Sequence, residues 1–547
     1  YIDPPYNTGK EFIYPDKFAE NLETYLAYTG QVDAEGRKFS TNTEAEGRFH
    51  SKWLNMMLPR LYLARNLLRE DGAIFISIDE KEQTHLRALC NDVFGEENFV
   101  ADMVWAAGRK NDSKYLSVSH EYIVAYVKNL DYLKSEGVLW RQRKEGLDDI
   151  YKAYDYLRKK FGQDHHAVQT ELREWYSALP ATHPARNHRH YSCVDQRGIY
   201  FAADISWPGG GGPKYEVIHP ITRKPCTVPS RGWMFPKPER MQEMIAENRV
   251  HFGPDETSVP CMKSYLQDKE EEVPFSVFYQ DGRAATKRLR ELLGGDYFEN
   301  PKDEVVIRKI IEFASDSTAI ILDFFSGSCT TAHAVLDLNK QDGGNRKFIM
   351  VQLPEPCDEK SEAYKAGYKT IADIGKERIR RVIKKLNEEE ESELKLADHT
   401  PDRGFRAFKL DRSNFKVWDS EGAAKDSAAL AKQLELHEQH ILKGASPEDI
   451  LYELLLKAGF PLTTKVEKQE MAGKEVFSIE GGTLLICLER ELTKELIKAM
   501  ADAAPSQVIC LDEGFKGNDQ LKANAVQTFK AHAQGKGKEA GIVFRTV

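Results

Sequence analysis

Asp3-Pro4-Pro5-Tyr6 sets a carboxylate, two prolines and a phenol ring in four consecutive positions. Pro5 disfavours the helical region for Pro4 and neither proline has an N–H, so the backbone is stiff and the Pro4 carbonyl is a fixed acceptor beside Asp3. An exocyclic amine on a nucleobase is a poor nucleophile because its lone pair is delocalised into the ring. Two acceptors that grip its two N–H bonds localise that pair for attack on an electrophile. Asp3 and the Pro4 carbonyl form such a pair, and Tyr6 offers a flat face on which an extruded base can stack.

A second run, Asp323-Phe324-Phe325-Ser326-Gly327-Ser328-Cys329-Thr330-Thr331, reads as a strand ending in Asp, a loop of small residues and a helix start. Gly327 lets backbone approach a ligand closely, and free N–H groups at a helix start favour a carboxylate. A nucleotide-like cofactor with an amino-acid tail fits that description. The next strand ends at Gln352, followed by Leu353-Pro354-Glu355, so Gln352 or Glu355 is placed to take ribose hydroxyls. Taken singly, each motif is also compatible with a plain proline turn or with packing.

The elements that must position these groups follow from hydrophobic period. Trp53 to Arg69 has helical spacing, Ala73 to Ile78 is a short apolar strand, Lys81 to Phe94 is again helical, and Phe99 to Trp105 and His120 to Val127 read as strands. This alternation predicts an α/β layer with a mostly parallel sheet. The rhythm breaks between about 131 and 290 into irregular stretches rich in aromatics, His, Pro and Gly, which predicts an inserted domain. It returns with a helix over 303–314, a strand over 319–323, a helix over 330–339, a strand over 347–352 and a long helix over 364–385. The acidic run Glu388 to Glu391, with Glu393, reads as a solvated helix end or linker. A last segment from about 401 contains a helix capped by Ser446, then strands over 483–488, 507–511 and 541–547 alternating with helices over 493–501 and 519–531.

The 547 residues are 41% hydrophobic and 30% charged, with 77 Lys+Arg against 86 Asp+Glu. The length predicts roughly three to four domains. No apolar run approaches the ~20 residues of a membrane-spanning helix. Eight cysteines include no CxxC pair, which argues against structural zinc and against a secreted disulfide framework, leaving a reducing cytoplasm as the default. His188, Arg189 and His190 lack acids or cysteines at ligand spacing, so no metal site is predicted. The opening Tyr1-Ile2-Asp3 reads as the end of a strand, hence as a chain missing its true amino terminus.

Together, a proline turn first and a cofactor loop about 320 residues later with an insertion between, these features resemble the β-class amino-methyltransferases, and within them the modification subunit of type III restriction-modification systems. The resemblance covers nearly the whole chain. It implies a Rossmann-like α/β fold dependent on S-adenosylmethionine, with an inserted target-recognition domain and a small carboxy-terminal α/β domain. The implied boundaries are 1–130 and 291–400 for the catalytic and cofactor-binding halves, 131–290 for target recognition and 401–547 for assembly. Asp3, Pro4, Pro5 and Tyr6 match the catalytic motif in the Asp form that goes mainly with adenine, and Asn7-Thr8-Gly9 continues it. Asp323, Phe325, Gly327 and Ser328 match the S-adenosylmethionine loop, with Gln352 beyond it. Asn300-Pro301-Lys302 matches a motif lining the same pocket, through Asn300 and Lys302. His120-Glu121-Tyr122 resembles a strand motif near the target base. Residues 404–419 and 511–529 resemble the type III carboxy-terminal region. One departure is Cys329, which stands where the loop usually has a second glycine. The other is the absence of roughly a domain's length of residues before the proline turn.

The resemblance implies that the insert meets double-stranded DNA. From His183 to Arg240 there are 9 Arg+Lys against 4 Asp+Glu in a chain whose net charge is −9. Arg186, Arg189, Lys214, Arg223, Lys224 and Arg231 are the candidate DNA-binding residues, and Tyr191, Tyr200, Phe201, Trp207 and Trp233 are candidates for insertion into the duplex. The implied partners are a second copy of the chain and a helicase-nuclease restriction subunit. Methylation of cytosine at its exocyclic amine, a DNA-specificity subunit whose main role is assembly, and a methylating regulator without a nuclease remain as alternatives. The recognition sequence is not readable.

Overall fold

A computed structural model describes residues 1–7, 49–106, 115–393, 402–416, 427, 428, 430, 431, 434, 441–535 and 542–547; Thr8 and Gly9 and part of 404–419 lie outside them. The chain divides into two compact units, 1–403 and 404–547.

In the first unit, α1 (Phe49–Leu67) and α2 (Gln83–Phe94) flank β1 (Ala73–Ile78), followed by β2 (Phe99–Ala106) and β3 (His120–Val127). Trp53, Met57 and Leu61 of α1 pack with Leu86, Cys90 and Phe94 of α2 against Ile74, Ile76 and Ile78. Phe75 points to the opposite face, where it meets Val306, Ile310 and Phe313 of a further helix. Both faces of β1 are covered, which is why its sequence is a continuous apolar run rather than an alternating one. The sheet is mostly parallel, as expected, with β3 reversed: β1 and β2 point the same way and both run antiparallel to β3, with Ile78 opposite Tyr122. Apolar period fixes which face is buried but carries no information on strand direction.

The insert is more regular than its composition suggests. Its helices α3 (Leu147–Phe161) and α4 (His165–Ala178) pack through Ile150, Leu157, Val168, Leu172 and Tyr176. Beyond them β4 (Cys193–Val194), β5 (Ile199–Ala203), β6 (Val250–His251) and β7 (Cys261–Tyr265) form a four-stranded antiparallel sheet in the order β4-β5-β7-β6. The chain then returns to the first sheet through β8 (Val277–Tyr279), parallel to β2.

After α5 (Gly282–Leu293), α6 (Glu304–Ala314) starts at Asp303, whose carboxylate accepts from the Val305 N–H at 2.8 Å. β9 (Ile320–Asp323) and β10 (Lys347–Met350) pair in parallel on either side of α7 (Thr330–Asp342). The long helix expected from 364 is broken. A short turn over Glu362–Lys365 precedes α8 (Ile371–Glu393). On α8, Glu389 and Glu390 pair with Lys340 and Arg403, so part of the acidic run is fixed by cations.

Tyr1 and Ile2 connect the two sheets. Ile2 bridges Ile76 in parallel, with Ile2 N–H to Phe75 O at 2.9 Å and Ser77 N–H to Ile2 O at 3.0 Å. On the other side, the Tyr1 nitrogen donates to Leu322 O of β9 at 3.3 Å.

In the second unit, Ser446 Oγ accepts from the Asp449 N–H at the start of α9 (Pro447–Lys457). β11 (Val466–Met471) and β12 (Lys474–Ile479) make an antiparallel hairpin that the sequence did not reveal. The sheet continues with β13 (Leu484–Cys487), α10 (Lys494–Asp502), β14 (Gln507–Cys510), α11 (Asp519–Gly535) and β15 (Val543–Thr546). β13, β14 and β15 are parallel, with α10 and α11 packed on one face and α9 on the other.

Candidate active site

Because Ile2 runs parallel to β1, Asp3 leaves the sheet at the rim where β1 ends, beside the start of β3. The turn that follows is held from several sides. Trp53, fully buried on α1, donates its indole N–H to Pro5 O at 2.7 Å. Among the described residues no donor reaches the Pro4 carbonyl. Asn7 takes a left-handed φ of 53° and is 1% exposed. Its side chain donates to Glu82 Oε1 at 2.5 Å, and His50 Nδ1 lies 2.7 Å from the same oxygen. Potential ligand atoms of His50, Glu82 and His85 lie within 4.8 Å of one another. The Glu82 oxygen is already committed to Asn7 and His50, which assigns this group to holding the turn.

Lys302 completes the cluster. Its Nζ lies 2.5 Å from Glu121 Oε2, 2.5 Å from Tyr6 Oη and 3.5 Å from Asp3 Oδ1, and the Tyr6 hydroxyl donates to Glu121 at 3.1 Å. Burial works against the ammonium, but Asp3 and Glu121 outweigh it and hold its pKa above the ordinary lysine value. Burial also raises the Asp3 carboxyl, against the pull of Lys302 and with a further push from Glu121. Asp3 Oδ1 is buried yet accepts no hydrogen bond. An acceptor in that condition lacks a donor that a ligand can bring.

The small-residue loop lies at the same rim. Asp323, 3% exposed, accepts from Phe325 N–H at 3.0 Å and from the Thr331 hydroxyl at 2.6 Å, which ties the strand end to the helix start. Burial pushes its carboxyl up to about 6, and Asp3 is near enough to add to the rise. Gln352 Oε1 accepts from Gly327 N–H at 2.7 Å, so Gln352 is pinned to the loop. Ser328 is buried, and its hydroxyl and that of Thr330 take Arg378 Nη1 at 3.0 and 2.7 Å. Burial lowers that guanidinium to about 10 while Glu304 supports its charge. Sequence reasoning passed over Arg378, which sits on a helix with a repeating pattern of surface charge.

Cys329 caps α7 in a left-handed conformation, φ 60°, where glycine would be unstrained. Its thiol is turned towards Gly375 of α8, where an added Cβ would lie 2.6 Å from Sγ. The side chain is thus accommodated by a glycine on the neighbouring helix. Burial pushes the thiol up to about 11, so it stays protonated.

The structure therefore brings Asp3, Pro4, Pro5, Tyr6 and Lys302 together with Asp323, Phe325, Gly327, Ser328 and Gln352, although Phe325 lies in the core. Asn300 is exposed, in a left-handed turn two residues before Lys302. The candidate DNA-binding residues are scattered over the insert. Lys214 and Arg223 are exposed, Lys224 pairs with Glu256 at 3.1 Å, and Arg231 pairs with Asp204. Arg186 and Arg189 line one cavity. The aromatic expectation needs correction. Tyr191, Tyr200 and Trp233 are buried, Trp233 completely, with its indole N–H on Tyr215 O. These rings join aliphatic side chains such as Leu172, Ile199 and Met241 in the cores of the insert, and Phe201 and Trp207 are only partly exposed.

Residues 1–355 match the family described as DNA methylase. The chain is 34% identical over its full length to the Mod subunit of the type III restriction-modification enzyme EcoP15I of Escherichia coli, covering 81% of that protein. It is 29% identical to the EcoPI Mod subunit of Escherichia phage P1 over the same shares of both chains. Against the StyLTI Mod subunit of Salmonella typhimurium it is 33% identical over 71% of this chain and 53% of that one. With the proline turn and the glycine loop brought to one rim, the chain belongs to the DNA amino-methyltransferases, in the branch of the type III restriction-modification Mod subunits.

Proposed function

We propose that this protein methylates the exocyclic amine of adenine in double-stranded DNA, with S-adenosylmethionine as methyl donor, as the modification and sequence-specificity subunit of a type III system. The observation that carries this reading is the buried Asp3 Oδ1, without a hydrogen-bond partner and beside the Pro4 carbonyl that no described donor reaches. An amine with two N–H bonds satisfies both acceptors at once. Lys302 opposes the rise that burial gives the Asp3 pKa, and the raised pKa makes the carboxylate a better acceptor for the proton the amine must lose. Tyr6, fixed by Lys302 and Glu121, offers its ring to the base.

The loop residues suit the methyl donor. At Gly327 the backbone has φ 48°, and an added Cβ would meet only Phe298, at 3.5 Å, so a ligand can approach the chain there. Asp323, Gly327, Ser328 and Gln352 would hold the cofactor, with Glu355 exposed beyond them. Bound S-adenosylmethionine supplies an electrophilic methyl group, and the protein's task is orientation.

The insert over 131–290 would read the DNA, through the exposed Lys214 and Arg223 and the cavity-lining Arg186 and Arg189; in this reading Lys224 and Arg231 would exchange carboxylates for phosphates. The segments 1–130 and 291–400 form the catalytic and cofactor-binding halves, and 401–547 an assembly domain for a homodimer and a helicase-nuclease subunit in the cytoplasm. The relatives' designation as Mod subunits supports the assembly, and among the described residues no helix is long and apolar enough to cross a membrane. Methylating duplex DNA and identifying the modified nucleoside by mass tests the reading. N6-methyladenine is expected; N4-methylcytosine would turn the assignment to the other amine.

A further inference from the structure

Within the insert, α4 and the segment after it border a half-open cavity of about 450 Å³, lined among others by Arg173, Tyr176, Arg186, Arg189, His190 and Ser192. Arg173 and Tyr176 are three residues apart on α4 and so share a face. Arg173 Nε reaches Ser192 Oγ at 3.4 Å, and one Arg186 nitrogen is anchored on Leu179 O at 2.7 Å, leaving its other donors available.

Charge gathers at this cavity. Several other cations of the insert have acids, Arg197 with Asp268, Lys224 with Glu256, Arg231 with Asp204 and Lys263 with Asp195, whereas among the described residues the exposed Lys214 and Arg223 stand singly. Among the described residues no carboxylate pairs with Arg173, Arg186 or Arg189. Three guanidiniums around one cavity repel one another, and the arrangement lowers its energy by taking in an anion. Tyr176, 3% exposed, belongs to the core beneath the same cavity and makes its floor rigid. Planar guanidinium forks match the oxygens of a phosphate group.

We infer that this cavity seats one backbone phosphate of the DNA duplex, gripped by Arg173, Arg186 and Arg189. The inference rests on the reading of the insert as the DNA-contacting part, and it assigns these arginines to register on the backbone rather than to base identity. It also adds Arg173, which lies outside the basic window of the sequence.

The test compares wild-type protein with Arg173→Gln/Arg189→Gln, and with Arg189→Lys, on a random-sequence duplex over a range of salt. One phosphate contact contributes about 0.9 to the slope of log affinity against log salt. The double substitution is expected to make the slope shallower by about that amount and to weaken binding to every sequence alike, with the methylated sequence unchanged. Arg189→Lys, which keeps the charge, is expected to retain the slope. An unchanged slope in a double variant that melts with the wild type overturns the inference. So does competition in which inorganic phosphate protects the cavity without displacing DNA, the signature of a free-phosphate site. Wild-type protein that binds no duplex would instead overturn the reading of the insert itself.

Discussion

Lys302 Nζ stands 3.5 Å from Asp3 Oδ1 and 2.5 Å from Glu121 Oε2, so one ammonium lies between the carboxylate of the proline turn and the carboxylate at the start of β3. The segment before α6 thereby takes part in the chemistry of the turn as well as in lining a pocket. Without Lys302 two carboxylates would face each other in a buried site, and they would share a proton.

Lys302→Met should therefore shift the pH dependence of methyl transfer. Lys302 lowers the Asp3 pKa, so its removal raises it further above the ordinary carboxylate value. The acceptor form is the ionised one, and activity is lost as pH falls through that pKa. The acid limb of the pH–rate profile is expected to move to higher pH, with kcat reduced by roughly 10²-fold at neutral pH. A profile of unchanged shape would separate Lys302 from Asp3.

Gly375 and Cys329 should be coupled. Gly375→Ala puts a methyl group 2.6 Å from the Cys329 sulfur, and overpacking of this kind costs about 1–3 kcal/mol. Cys329→Gly removes the sulfur and relieves the left-handed backbone at that position. The double variant is expected to recover most of the stability lost in Gly375→Ala. Denaturant unfolding of the four members of the cycle measures the coupling, and strict additivity would show that the two sites do not meet.

Trp53→Phe should loosen the proline turn while leaving the core filled. The substitution leaves Pro5 O without its donor, at a cost of about 1–3 kcal/mol. Methyl transfer is expected to slow more than cofactor affinity changes, because the indole N–H bonds the turn that carries Asp3, whereas the loop meets Trp53 only through the apolar core that Phe continues to fill. Steady-state kinetics beside a binding titration with the cofactor separates the two effects.

How far the sequence disclosed this arrangement depended on the range of the interaction. The strand ending at Ile78 and the Ser446 cap were legible because an apolar run or a capping hydroxyl acts over a few residues. The reversed course of β3 was hidden, since a strand's apolar pattern reads the same in either direction. α3 and α4 were hidden by charge and aromatics, with Tyr151, Tyr154 and Trp175 only partly buried at their edges. At the site, Asp3 and Asp323 were visible as motif residues. The ammonium of Lys302 between two acids and the Arg378 guanidinium under the loop depend on contacts between distant parts of the chain, and no local spacing marks them. The rings of Tyr200 and Trp233 looked available for DNA because composition does not distinguish a core aromatic from an exposed one.

The central claim is that the Asp3 turn and the Asp323 loop are two halves of one site with separate tasks, the first gripping the amine and the second holding the methyl donor. Its most direct test is Asp3→Ala in the protein with any preceding residues present, measured for S-adenosylmethionine binding by titration and for methyl transfer to duplex DNA by tritium incorporation. Cofactor affinity within about twofold of wild type and no detectable transfer are the predicted results. Transfer at a rate near that of the wild type would contradict the account.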